Sequence, residues 1–268
     1  MYEIHQPKKT SLKKYISEFT ILKKDLFKPI NYLAFPHHRG SIAFFFQANV
    51  TYTNLTLNIE RDDNLSTSII ILGKYKEPLL LEYKNFVDEI VINFTPTGLN
   101  YFFVENYDKI TNKPIKFLKD EEWIEFSRKL FKANKNERIS LLEDFLLSHF
   151  MEKDLSIIEH IIDKMKNNKS LKLKDLSQEM GISERTINRI FHKYTGLSPK
   201  DFKKILRLRN SITMHNKKIS LTELCMSNDY YDSSHFTNEF KALTKRNPRN
   251  FFNSLKKINS MESYYIFK

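Results

Sequence analysis

One cysteine, Cys225, stands in the 268-residue chain, and no hydrophobic run is long enough for a membrane helix. A lone thiol excludes an intramolecular disulfide and any cysteine-cluster zinc site, and it predicts a reducing, cytoplasmic setting. The longest apolar runs, residues 42–46 and 68–72, fall far below the ~18 residues that a membrane span requires, so no membrane partner is expected. Met1, Tyr2, Glu3, Ile4 and His5 carry neither the basic start nor the apolar stretch of a secretory leader, and none is expected. A Gly-x-Ser-x-Gly elbow, a phosphate loop and a dinucleotide fingerprint are all absent. No catalytic residues and no cofactors are therefore expected, and the chain reads as a non-enzyme. His37 and His38 raise the question of a metal. Neighbours on a strand point to opposite faces, and no third ligand follows at a suitable spacing, so no metal site is expected.

Apolar residues make up 41% of the chain and aromatics 13%, enough for two cores at this length. The net charge is +12, and it is unevenly placed. Residues 1–150 hold 21 Lys/Arg against 19 Asp/Glu, whereas residues 151–268 hold 23 against 13. A lysine-rich surface composition explains many lysines but not this asymmetry, which is the footprint of a module that binds a polyanion.

Strand-like segments dominate the first part: residues 32–35, 41–47, 51–59, 66–72, 79–83 and 89–94, with turn residues between them. In 51–59 the residues Tyr52, Asn54, Thr56 and Asn58 alternate with Thr53, Leu55, Leu57 and Ile59, the period of a half-buried strand. The aromatic stretches 43–46 and 101–103 read as strands that either line a pocket or fill a core. Helical periodicity follows in 123–133 and 138–150. From residue 155 to about 255 the pattern is helical throughout. The expected fold class is α+β: a β-rich sandwich or cupin-like barrel closed by two helices, then an all-α domain of two helix-turn-helix units joined by a long helix. The expected domains are 1–151 and 152–258, with a C-terminal tail at 259–268.

The helical part contains one long unit twice. In the first copy a short helix ends at Gly181, which supplies a positive-φ turn, and Ser183 caps a second helix. On that helix Ile187, Ile190, Phe191 and Tyr194 share one face, and Arg185, Asn188, Arg189 and His192 share the other. One face packs; the other can enter a major groove, where Arg bonds guanine and Asn bonds adenine bidentately. The second copy begins at Leu221, turns at Asn228-Asp229, and buries Phe236, Phe240 and Leu243. Its base-contact candidates are Ser233, Ser234 and Asn238. Ser183, Lys200, Lys203, Lys241, Lys245, Arg246 and Arg249 are phosphate-contact candidates. Between the copies, a helix from Ser198-Pro199 to His215 is long enough to hold two recognition helices on one face of a duplex. Arg207 and Arg209 lie on it, with an internal salt bridge and DNA as open alternatives.

Residues 171–252 closely resemble the DNA-binding domain of the AraC/XylS regulators. The resemblance is carried by Ser183-x-Arg185 with Arg189-x-Phe191, Gly196-Leu197-Ser198-Pro199, Arg207-Leu-Arg209, and Ser234-His235-Phe236 with Phe240 and Pro248. Asp229 and Lys245 depart from the family pattern, standing where glycine is usual. The N-terminal part resembles the sensor-type domain of a subset of these regulators, through Phe94-Thr95-Pro96-Thr97-Gly98 and Glu137-Arg138-Ile139-Ser140-Leu141-Leu142-Glu143. The resemblance implies a sequence-specific transcription regulator, an activator by family habit, with double-stranded DNA as its partner. RNA polymerase, a small-molecule effector and a second copy of the chain are further partners it implies. Two other classes stay open: an enzyme domain targeted to DNA by the helical part, and a non-specific architectural protein.

Overall fold

The computed structural model describes residues 2–24, 29–85, 87–168, 171–215, 219–228, 230–254, 256–257 and 264–267. The first half is built on strands β1 (Tyr2–His5), β2 (Ile16–Lys24), β3 (Ile30–Ala34), β4 (Ser41–Phe46), β5 (Ala48–Thr53), β6 (Thr56–Arg61), β7 (Thr67–Leu72), β8 (Leu79–Lys84) and β9 (Val87–Phe94). A short helix α1 (Tyr107–Ile110), strand β10 (Ile115–Phe117) and helices α2 (Glu121–Lys132) and α3 (Lys135–Ser148) complete it. The second half runs as α4 (Ser156–Asn167), α5 (Leu173–Met180), α6 (Glu184–Thr195), α7 (Pro199–His215), α8 (Leu221–Ser227), α9 (Ser233–Thr244) and α10 (Pro248–Ser254), then short strands β11 (Lys256–Lys257) and β12 (Tyr264–Phe267).

The strands form two sheets, ordered β1-β2-β9-β4-β7-β10 and β11-β12-β3-β8-β6-β5. The first sheet is covered on both faces. On β4, Ile42 and Phe44 enter the core shared with the helices, while Ala43 and Phe45 enter the core between the sheets. A strand covered twice has no polar face, which is why 42–46 is a continuous apolar run. The second sheet is covered once, and the alternating burial of β5 and β8 shows it.

Two sequence expectations are corrected. Residues 51–59 are not one strand but parts of a hairpin, β5 to β6, with Thr53 paired to Thr56. Asn54 and Leu55 turn it at φ 48° and 60°. The two-residue turn switches the buried parity, since Val50 pairs with Ile59 and Tyr52 with Leu57: even positions face the core on β5 and odd ones on β6, and no glycine marks the bend. Residues 98–102 form a 3₁₀ turn, so the aromatic stretch at 101–103 is not a strand. In the described part of the 259–268 tail, β12 pairs with β3, placing Ile266 opposite Leu33. Strands β1 and β2, absent from the sequence reading, supply the edge of the first sheet.

Helices α2 and α3 pack on the first sheet. Asp120 caps α2 by accepting from the amides of Glu122 and Trp123. Arg138 of α3 makes a two-pronged ion pair with Asp88 of β9 at 2.8 and 3.2 Å, both side chains almost fully buried. Glu143, one helical turn on, accepts the backbone amides of Lys8 and Lys9. These two residues explain the 137–143 segment structurally: its charges hold a helix to a sheet and to the N-terminal strand's exit.

Candidate nucleic-acid interface

In the first unit α5 ends at Gly181, whose φ of 64° is left-handed. The Ile182 amide closes the turn onto the Ser177 carbonyl, and the Ser177 hydroxyl donates to the Ile182 carbonyl. Ser183 then caps α6, its hydroxyl accepting from the Thr186 amide at 3.1 Å. Ile187 and Phe191 are buried, whereas Arg185, Asn188, Arg189 and His192 are exposed, as the periodicity predicts. Asn188 donates from its amide to the Glu184 carbonyl, its own helix's backbone.

In the second unit α8 opens with a reciprocal capping box between Ser220 and Glu223. Asp229 of the following turn lies outside the described residues. Asp232 caps α9 by accepting from the His235 amide at 2.7 Å. Ser233, Ser234 and Asn238 are exposed, and Phe236, Phe240 and Leu243 are buried. Lys245 ends α9 at φ 55°, the left-handed geometry that glycine adopts without strain. Its amide still closes on the Lys241 carbonyl, so the cap forms with a lysine in place.

The long helix α7 lies between the two units and grips the second. Arg207 donates from Nε to Glu239 at 2.8 Å, and its Nη2 engages the other carboxylate oxygen. The guanidinium also stacks on Tyr230, 5.0 Å from its ring centre. The internal salt bridge was the right alternative for Arg207. Arg209 takes a third course: its guanidinium donates to the Phe35 and Pro36 carbonyls of the N-terminal half.

Two grooves bring candidate residues together. Asn188 borders one with Lys200 and Lys203. Lys200 and Lys203 also border the other, with Lys204, Arg207, His235 and Asn238. The remaining phosphate candidates are dispersed. Lys241 and Arg249 are exposed and Arg246 is partly buried. Lys245 is paired at 2.9 Å with Glu77 of the N-terminal half, and the Ser183 hydroxyl is engaged in its cap.

The N-terminal half contributes contacts that the sequence reading did not select. Asn100, fully buried, donates to the carbonyls of Thr97 and Tyr194 at 2.8 and 2.9 Å and accepts from the Tyr107 amide at 2.7 Å. The Tyr194 carbonyl belongs to the last turn of α6, so Asn100 satisfies a free end of the first recognition helix. Gly196, at φ 68°, follows directly; a Cβ there would stand 2.8 Å from the Tyr107 ring. Phe35 packs edge-on against Phe251, and His38 against Phe202. One apolar core therefore runs without a break from the first sheet into the helical half.

His37 and His38 lie in the loop between β3 and β4, with ring centres 4.5 Å apart. The expectation that they face opposite ways fails because strand alternation does not apply in a loop. His37 Nδ1 accepts from the Arg39 amide. Burial, and secondarily the cations Arg39 and Arg209, push the His37 imidazole well below its usual range. Among the described residues no group of three or more His, Cys, Asp or Glu gathers to hold a metal ion.

Beside this loop a cavity of about 110 Å³ opens between the sheets. Thr20, Tyr32, Arg39, Glu89, Asn93 and, from α7, Arg209 line it. Arg39 is held by Glu18 at 2.9 Å. Burial pushes the Glu89 carboxyl up to about 7, against the Tyr83 hydroxyl that donates to it at 2.8 Å. Ala43, Phe44 and Phe45 are core residues and do not form its wall.

Two helix-turn-helix units joined by a helix, docked on a two-sheet β domain, define the class. Residues 176–254 match the family model described as a helix-turn-helix domain. Over 118 residues the chain is 29% identical to the Msm operon regulatory protein of Streptococcus mutans serotype c, covering 42% of each chain. Over 115 residues it is 28% identical to the transcriptional regulator MxiE of Shigella flexneri, covering 41% of this chain and 54% of that one. The matched part spans about half the length of these relatives. Among solved structures the chain is similar to ToxT from Vibrio cholerae, with 12% identity and a TM-score of 0.46 over 88% of this chain and 97% of that one. It is similar too to ToxT with an unsaturated fatty acid bound, at 10% identity and a TM-score of 0.44, over 87% and 94% of the two chains. The C-terminal half carries a helix-turn-helix domain.

Proposed function

We propose that this protein is a sequence-specific DNA-binding transcription regulator. The observation that carries the reading is the pairing of two capped recognition helices, α6 and α9, whose outward faces bear Arg185, Asn188, Arg189 and Ser233, Ser234, Asn238. Each faces away from its core, and both border the same two lysines of α7. Two such helices on one rod address successive major-groove segments, about 34 Å apart along a duplex. Selection of bound duplexes from a random pool by the full chain tests it: two motif halves about one helical turn apart are expected. A pool that stays random would favour the architectural alternative.

A small, polar effector in the cavity between the sheets is the finer part of this reading. Arg209 supports it, since that side chain lines the cavity and belongs to α7, the helix that holds both units. A ligand that moves Arg209 would move the spacing of the recognition helices. In the same reading RNA polymerase is the partner at the promoter, and a second chain pairs through the N-terminal half. Sedimentation of the full chain as a monomer at micromolar concentration would remove the pairing.

A further inference from the structure

We infer that the first turns of α7 are a third DNA-binding element, a lysine row that seats the sugar–phosphate strands of the minor groove lying between the two half-sites. This rests on the DNA-binding reading and adds Lys204, which the sequence did not single out. Lys200, Lys203, Lys204 and Arg207 stand at i, i+3, i+4 and i+7 of α7 and border one groove together. Such spacing places them in one stripe along the helix. The docked side of α7 is different: there Asp201 is paired with Lys76, Phe202 meets His38, and Arg209 holds the N-terminal half. The stripe thus turns away from the N-terminal half.

Its position is set by what it borders. Asn188 of the first recognition helix flanks Lys200 and Lys203 on one side, and Asn238 of the second flanks the same two lysines with Lys204 on the other. A duplex engaging both helices in successive major-groove segments must present the intervening minor groove to whatever lies between them. That is α7, about 25 Å long at its 17 residues. The charge is not neutralised from within. Glu239, the carboxylate in this groove, is consumed by Arg207, and Lys203 donates to the Leu171 carbonyl. Among the described residues neither Lys200 nor Lys204 makes an ion pair. Like charges at this spacing repel and cost stability unless a polyanion lies across them. Lysine beside a minor groove also responds to its width, since narrow A·T-rich segments carry the stronger negative potential. The row therefore gives the site a preference at base pairs that no side chain touches.

The test uses the full chain and the duplex it selects. Lys200→Ala and Lys204→Ala, singly and together, are compared with Lys204→Arg by anisotropy across a salt series, with circular dichroism confirming the fold. Each alanine is expected to lower affinity about fivefold at 0.15 M salt and to reduce the salt slope by about one, whereas Lys204→Arg keeps both near wild type. Neutral methylphosphonates at the central phosphates should weaken the wild type and leave the double variant almost unaffected. A double variant with the wild-type slope, or one still sensitive to the central methylphosphonates, overturns the lysine row while leaving recognition by α6 and α9 intact. Wild-type chain that binds no duplex at all overturns the DNA reading itself and this inference with it.

Discussion

The two helix-turn-helix units share a plan and differ in how they are held and in what they present. The first is secured by the N-terminal half, through Asn100 on the Tyr194 carbonyl and Tyr107 against Gly196. The second is secured by α7, through the Arg207–Glu239 fork and the Tyr230 ring. The first presents two arginines and an asparagine on a helix whose caps are unstrained. The second presents two serines and an asparagine on a helix that ends in a left-handed lysine. Long, branched donors reach base edges; short hydroxyls reach less far. Under the proposed DNA-binding reading, we expect the first unit to do most of the sequence reading and the second most of the anchoring.

Breaking the second unit's anchor should have the largest effect. Arg207→Ala strands a buried Glu239, and the loss of one partner of such a pair costs about 3 kcal/mol. Urea unfolding should show it, with Arg207→Lys intermediate because a point charge cannot make the fork. An unchanged midpoint for Arg207→Ala would mean that α9 is held by its apolar face alone.

The first unit's anchor comes next. Asn100→Ala leaves the Tyr194 carbonyl and the Tyr107 amide without their partner, at a cost of ~2 kcal/mol. Because the lost contacts join the two halves, a hydrogen-exchange readout should show the last turn of α6 opening while α9 stays protected. Equal loss of protection in both helices would erase the proposed difference in how they are held.

Reading is compared by affinity. Arg189→Ala should cost ~1–3 kcal/mol on the selected duplex and less on a scrambled one. Asn238→Ala should cost under ~1 kcal/mol on the selected duplex. If Asn238→Ala proves the more damaging on the selected duplex, the assignment of reading and anchoring is reversed.

The smallest effect tests the strained cap. Lys245→Gly relieves a left-handed geometry that costs an ordinary residue about 1–2 kcal/mol, and part of that gain is lost to glycine's unfolded-state freedom. The exposed pair with Glu77 contributes little. A net gain of ~0.5 kcal/mol in thermal unfolding is expected, together with a slightly weaker salt slope if Lys245 leaves Glu77 to meet DNA.

Much of the helical half was legible because its signals are local. Gly181, Ser183, Pro199 and the 3- and 4-residue spacing of Ile187, Ile190, Phe191 and Tyr194 each act within one or two turns of chain. The β half was legible where a strand has one wet face or two dry ones. It was misread at Asn54-Leu55, where no glycine or proline marks the turn, and at residues 98–102, where aromatics pack in a 3₁₀ turn. Lys204 was missed because its spacing is that of any solvated helix stripe.

The sequence by itself determined the two helix-turn-helix units, the concentration of positive charge beside them, and which face of each recognition helix is outward. Those follow from caps, turns and periodicity, which are short-range. Only the tertiary structure decided the uses of Arg207, Arg209, Asn100 and Glu239, because their partners lie tens of residues away and any exposed helix offers the same residue types. It also decided where the cavity lies, since Arg39, Glu89 and Arg209 meet only when α7 docks on the loop after β3. A buried polar group must find a partner, but nothing local in the chain says which one.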